Sequence, residues 1–281
     1  MLRVTSIRST ERPTIVRAVY ERRKELILGL ASVLSAVKSL VRGLPLFLSA
    51  RPRTPLRVLC IMAFDTLQRL RHAKPLSAAK LRLLAAFLDF GACANAALDG
   101  KEYCQRECRS TLQLLEEAGI RTSVVEYLRR LRELEGERPT PEGDERCFQQ
   151  VTSYREAVVR LSLGMAAATA DRNHCLEEGI RATYYEADLN ILFRIVMQCQ
   201  IIDDVLDYAM DRSAGLPTFL TACKPLSQAM ELTRVAALDY ADVRTLPRIG
   251  NVVALRSALF LVSACTKLTI VLSRRRRRTR V

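Results

Sequence analysis

Apolar positions recur at three- and four-residue spacing along most of this chain, the period of helices that bury one face. Residues 1 to about 12 are polar and are expected to fray. From Thr14 to Val41 the spacing predicts two helices. Leu44–Pro45 and the stretch Arg51 to Pro55 interrupt it, and Leu56 to Leu70 restores it up to Lys74–Pro75. Ser77 is placed to cap a long helix expected from Ala78 to Glu117, with Gly119 as its stop. A shorter helix is expected over Thr122 to Leu134. The Pro-, Gly- and charge-rich stretch Glu135 to Asp144 is the clearest loop. Helices follow over Glu145 to Asp171 and over Tyr184 to Arg212, with a short element around Cys175 to Ile180 between them, and Gly215-Leu216-Pro217 ends the second. Two or three more fill Leu226 to Leu272. No run alternates at period two for long enough to make a strand, and no fixed-period repeat is visible. The pattern predicts one all-α domain over residues 1–272, a bundle of about ten or more helices, followed by a basic, flexible tail over 273–281.

Composition agrees. In 281 residues, 49% are hydrophobic and 26% charged, which excludes global disorder. Eleven Gly and ten Pro are few for an all-β fold with many tight turns. The net charge of +14 points to an anionic partner: nucleic acid, a membrane surface or a phosphorylated small molecule. Arg274 to Arg278 and Arg280 supply six of these charges. Nine cysteines, an odd number without a CxxC pair, read as reduced thiols rather than a disulfide framework. Two histidines without Cys/His ligand spacing speak against zinc. The N-terminus lacks a signal peptide's order of regions. The longest uncharged apolar run, Leu26 to Val37, has twelve residues, too few to span a bilayer. A cytoplasmic protein with at most peripheral membrane contact is expected.

One segment carries chemistry. Gln200-Ile-Ile-Asp203-Asp204-Val-Leu-Asp207 sets three carboxylates at i, i+1 and i+4 in an otherwise apolar helix. Asp203 and Asp207 are one turn apart on one face, and Asp204 flanks them. Burying three like charges is costly without compensation. A divalent cation with hard oxygen ligands, Mg²⁺, relieves that cost and completes its shell with water and substrate phosphates. The alternative is an ordinary exposed acidic face.

The segment resembles the second aspartate-rich motif, QxxDDxxD, of the trans-isoprenyl diphosphate synthases and, less closely, the N-x-x-R-D motif of the squalene/phytoene synthases. Both belong, with the terpene cyclases, to the class I isoprenoid synthases. The resemblance implies a helical bundle around a central cavity, Mg²⁺, an allylic prenyl diphosphate substrate and a homodimer. It also implies a second acidic cluster facing the first. The candidate is Asn95, Asp99 and Glu102, which at ~100° per residue fall within roughly 60° of one face. This is similar to a DxxxD motif with Asn in first place, and Asp89 is a weaker candidate. The implied metal ligands are therefore Asp203, Asp204, Asp207, Asn95, Asp99 and Glu102.

Diphosphate also needs cationic and polar partners. Arg160, with Gly164 one turn on, stands where the family has a basic residue and a helix break. Arg160, Arg181 and Tyr208 are the candidate catalytic residues, and Gln200, Lys101, Arg155 and Arg194 the candidate substrate-binding ones. Tyr184 and Tyr185 are further candidates for stabilising a cation with a ring face. The second-substrate signature of chain-elongating enzymes is poorly represented: Arg71-His-Ala-Lys-Pro75 is a weak counterpart. A terpene synthase using one allylic diphosphate is favoured over a prenyltransferase of the elongating or squalene/phytoene type. The remaining alternative is a non-catalytic helical protein with an anion-binding Arg tail. No base-reading motif accompanies that tail, so no specific nucleic-acid partner is expected.

Overall fold

The structure, a computed structural model, describes residues 55–98, 105–170, 174–244 and 252–278, together with nine positions between 27 and 41. It is an all-α bundle. Nine helices have bounds among the described residues, and the positions between 27 and 41 are helical too. The nine are α1 (Pro55–His72), α2 (Ala78–Leu98), α3 (Gln105–Glu117), α4 (Arg121–Gly136), α5 (Glu145–Ala170), α6 (Leu176–Tyr185), α7 (Ala187–Ser213), α8 (Leu226–Ala241) and α9 (Val253–Arg278). No strand occurs among the described residues; Gly143 and Cys223 form an isolated bridge.

Local chemistry explains several boundaries. The Ser77 hydroxyl accepts from Lys80 N at 3.2 Å, the expected cap of α2. The Asp144 carboxylate accepts from Arg146 N and Cys147 N and starts α5 in the same way. Gly119 and Gly215 take positive φ after α3 and α7, the left-handed conformation that ends helices at low cost for glycine.

Two boundary expectations need correction. The long helix expected from Ala78 to Glu117 is two helices, α2 and α3, which pack against each other. A single straight helix cannot fold back on itself, and the sequence between them contains Asp99–Gly100, a turn-forming pair. The expected domain end at 272 falls inside α9, which continues through Arg278. Arginine is a good helix former, cations favour a helix C-terminus, and Arg274 is tied to Glu231 at 2.7 Å.

Side-chain ties fix the helix directions. Arg155 of α5 meets Gln200 and Asp204 of α7, while Arg160 lies on Phe193. As α5 advances α7 recedes, so the two are antiparallel. At the start of α2, Lys80 Nζ donates to the Ala170 carbonyl at the end of α5 (2.5 Å). Further along, Phe87 stacks edge-on against Tyr127 at 5.3 Å, whose hydroxyl lies 3.4 Å from Ser162 Oγ. Thus α2 also opposes α5 and runs parallel to α7. The C-terminal halves of α2 and α7 therefore reach the same end of the bundle, the end marked by Arg155. Likewise Arg194 and Gln198 of α7 bind carbonyls of Asp239 and Ala237 in α8, and Arg274 of α9 reaches back to Glu231. So α9 ends at the Arg155 end as well.

Helices α5 and α6 pack in close backbone contact. A Cβ at Gly164 would lie 2.7 Å from the Ile180 backbone nitrogen, and one at Gly179 would overlap the Gly164 carbonyl. The helix break implied at Gly164 does not occur, because α5 runs unbroken through it; the glycine is there for α6. Gly179→Ala is expected to destabilise the fold by about 3 kcal/mol or more, since backbone rather than a flexible side chain must move. Chemical denaturation checks this, and a loss below about 1 kcal/mol would mean that the two helices separate easily.

Candidate functional site

A half-open cavity of about 320 Å³ is walled by α1, α2, α4, α5 and α7. Most of its lining is apolar, including Phe87, Leu88, Leu131, Val159, Leu163 and Val196. Polar groups are few: Tyr127 and Ser162 midway, and Arg155 with Gln200 at one end. Cys60 also lines it, its thiol pushed up to about 11 chiefly by burial, which leaves it protonated and unreactive at neutral pH.

Two of the aspartates lie beyond the cavity lining, on the same stripe of α7. On α7, Val196, Gln200, Asp203 and Asp207 follow one another at spacings of four, three and four, so they share a stripe. Val196 and Gln200 line the cavity, and Asp203 and Asp207 extend their stripe at the Arg155 end. Asp203 is exposed and Asp207 half-buried. The pKa of Asp203 is raised, first by partial desolvation and then by the Asp207 carboxylate. A cation between them would relieve that repulsion.

Asp204 does something else. One residue on, its side chain points about 100° away and is 3% exposed. It accepts from Arg155 Nη2 at 3.2 Å and from the Phe219 backbone N–H at 2.8 Å. This anchors the turn after α7 to the helix. Burial nevertheless raises its pKa to about 6, opposed by Arg155 and the Phe219 N–H. Arg155 donates also to Gln200 Oε1 at 2.8 Å, and its Nε–H is buried without an acceptor.

The other candidates divide. Asn95 lies in α2 seven, four and three residues after the cavity-lining Leu88, Gly91 and Ala92, in the half of α2 that runs to the Arg155 end. Its side chain, and Asp99, Lys101 and Glu102 altogether, lie outside the described residues. Arg160 is not brought to the aspartates. Its guanidinium is sandwiched between the rings of Tyr184 (3.9 Å) and Phe193 (3.6 Å) and donates to the Thr183 carbonyl at 2.7 Å. Five residues separate Arg155 from Arg160, which sets them on different faces of α5. Arg194 donates to the Asp239 and Asp242 carbonyls and so closes the C-terminal end of α8. Arg181 is exposed on α6, a helix that contributes nothing to the cavity lining. Tyr208 borders a separate groove with Glu142, Arg212 and Lys224. Tyr184 and Tyr185 are exposed outside the cavity. Arg71 binds Asp188 at 2.6 Å and Glu186 at 2.7 Å, at the far end of α7 from the aspartates.

Arg160→Lys is expected to cost about 1–3 kcal/mol, because a lysine cannot both stack between two rings and reach the carbonyl. Turnover per folded molecule should stay unchanged. Thermal denaturation beside an activity measurement separates the two effects, and a large loss of turnover at unchanged stability would put Arg160 in the reaction.

Tyr127, Ser162 and Cys60 are cavity residues that the sequence reading missed. The signal for Ser162 was its place seven residues after Arg155, on the same stripe of α5.

Among the described residues no group of three or more His, Cys, Asp or Glu side chains converges to hold a metal ion. The reason is visible in α7: Asp203 and Asp207 remain a pair once Asp204 turns to Arg155. Two carboxylates one turn apart suit Mg²⁺, which commonly takes one or two protein carboxylates and leaves its other positions to water and phosphate. Comparisons with protein-family models, curated proteins and solved structures find no match to this chain.

Proposed function

We propose that the chain ionises an allylic prenyl diphosphate in the presence of Mg²⁺, in the manner of a class I terpenoid synthase. One observation carries the reading: the stripe of α7 that walls an apolar cavity runs on into Asp203 and Asp207 at its polar end. An amphiphile with a long hydrocarbon tail and a diphosphate head fits that polarity.

Asp203 and Asp207 would hold Mg²⁺, which when bound neutralises charge developing on the diphosphate. Arg155, part of whose side chain is exposed beside Gln200, would place positive charge near the leaving-group oxygens. The apolar walls then keep water from the allylic cation left behind. Tyr127, with its ring against Phe87 and its hydroxyl near Ser162, gives the cavity an aromatic face for a developing positive charge. The engagement of Arg71 with Asp188 and Glu186 supports a single-substrate reaction, since it removes the nearest counterpart of a second diphosphate site.

A second reading is favoured by Asp204. Its ion pair with Arg155 and its bond to the Phe219 N–H are structural, and a helical scaffold without catalysis would keep them. Product analysis separates the readings. The protein is incubated with Mg²⁺ and geranyl, farnesyl or geranylgeranyl diphosphate, with and without isopentenyl diphosphate. Hydrocarbon or alcohol from an allylic substrate alone is the expected result. Product only with isopentenyl diphosphate makes it an elongating prenyltransferase, product joining two allylic units a squalene/phytoene-type enzyme, and no product under any condition a scaffold.

A further inference from the structure

The outer face of α9 is apolar. Leu255, Leu259, Thr266 and Ile270 are buried, on the stripe by which α9 packs against α7 and α8. On the opposite stripe Phe260 is 74% exposed and Leu268 58%, with Leu261, Val271 and Leu272 exposed beside them. The pattern reaches α7. Cys199 and Cys265 lie close enough to interact, and a seven-residue step along each parallel helix arrives at Leu206 and Leu272 on one level. Leu206 and Met210 are both largely exposed.

This surface is more apolar than the twelve-residue run at Leu26 to Val37 suggested. Val253–Arg275, with a mean hydropathy of 1.6 over its best window, is long and apolar enough to cross a bilayer by length and composition. Lys267 is the one charge between Ser257 and Ser273. Crossing would strip the inner stripe from α7 and α8, whereas lying on a membrane leaves that packing intact.

Charge identifies the occupant. The thirty-nine residues after Asp242 contain ten Lys and Arg and no Asp or Glu. At the C-terminal end of α9 Arg274 is paired with Glu231, and Arg275, exposed, continues the basic run beside the exposed leucines. We infer that this face docks on an anionic lipid surface, the leucines and Phe260 entering the headgroup–acyl boundary and the arginines meeting lipid phosphates. A second copy of the chain would bring the same positive charge against itself. Single-stranded nucleic acid would call for a row of stacking aromatics rather than leucines. The inference does not depend on the diphosphate chemistry, although the docked end is also the end at which Asp203 and Asp207 stand.

Flotation of the full chain with vesicles tests it. Binding is expected to phosphatidylcholine vesicles containing phosphatidylglycerol, to weaken as salt rises, and to be at least about tenfold weaker with phosphatidylcholine alone. The double change Leu268→Asp and Leu272→Asp should reduce binding by at least about tenfold, with helicity by circular dichroism unchanged. Removal of residues 276–281, which takes away four arginines and none of the buried stripe, should do the same and decides the matter if the double variant does not fold. Equal binding to both vesicle types, or to neither, overturns the inference. So does a dimer that dissociates in the double variant while vesicle binding persists, which would show that a second copy covers the face.

Discussion

Asp204→Ala is expected to be the most destabilising change at the acidic segment, by about 2–4 kcal/mol. The substitution leaves the Phe219 N–H buried without an acceptor and Arg155 without its carboxylate. Arg155 keeps Gln200 and some solvent, with 22% of its side chain exposed, which holds the loss below that of a fully enclosed pair. The pH dependence gives a second signature. Asp204 binds its proton more tightly in the folded chain, at about 6 against an ordinary 3.8. Its contribution to stability is therefore full below the unfolded value and is lost as pH rises through the folded one. The native chain's advantage over Asp204→Ala should grow as pH falls from 7 to 5. Denaturation of both proteins at the two pH values reads this directly. An advantage that shrinks toward pH 5 would mean that Arg155 outweighs burial and holds the carboxylate ionised.

The second large effect concerns activity. Asp203→Asn and Asp207→Asn, alone or together, are expected to lower Mg²⁺-dependent diphosphate release by about 10²–10³-fold, the scale on which charge-stabilising groups act in transition states. Melting should change little, because Asp203 is exposed and removal of one charge relieves repulsion from the other. The two aspartate types are thus expected to have opposite phenotypes. Loss of Asp204 is expected to cost stability, and loss of Asp203 with Asp207 to cost turnover. A uniform stability loss at all three positions, with turnover per folded molecule preserved, would favour the structural reading.

Much of this was legible in the sequence. Helices α1, α4, α5 and α7 fall close to their expected bounds because their apolar period is regular and because Asp144 starts α5 and Gly215 ends α7. The division between α2 and α3 was not, because helical spacing continues across residues 99–104 and hides the Asp99–Gly100 turn signal. The acidic triplet and its one-turn geometry were visible. The division of labour within it was not. Adjacent residues on a helix differ by about 100°, and only the placement of α5 and of Phe219 decides which one turns inward. The arginines were least legible. Arg160 is satisfied by Thr183, Tyr184 and Phe193, and Arg194 by carbonyls some 45 residues later; local sequence carries no trace of such partners.

The most direct test of the central claim is diphosphate released by the native chain from geranyl, farnesyl and geranylgeranyl diphosphate, with Mg²⁺ and with chelator. Release from at least one substrate is expected, dependent on the metal and lost in the Asp203→Asn, Asp207→Asn double variant, whose melting temperature matches that of the native chain. Absence of metal-dependent release from all three, or equal release by the double variant, would contradict the account and leave the segment around Asp204 as a structural anchor.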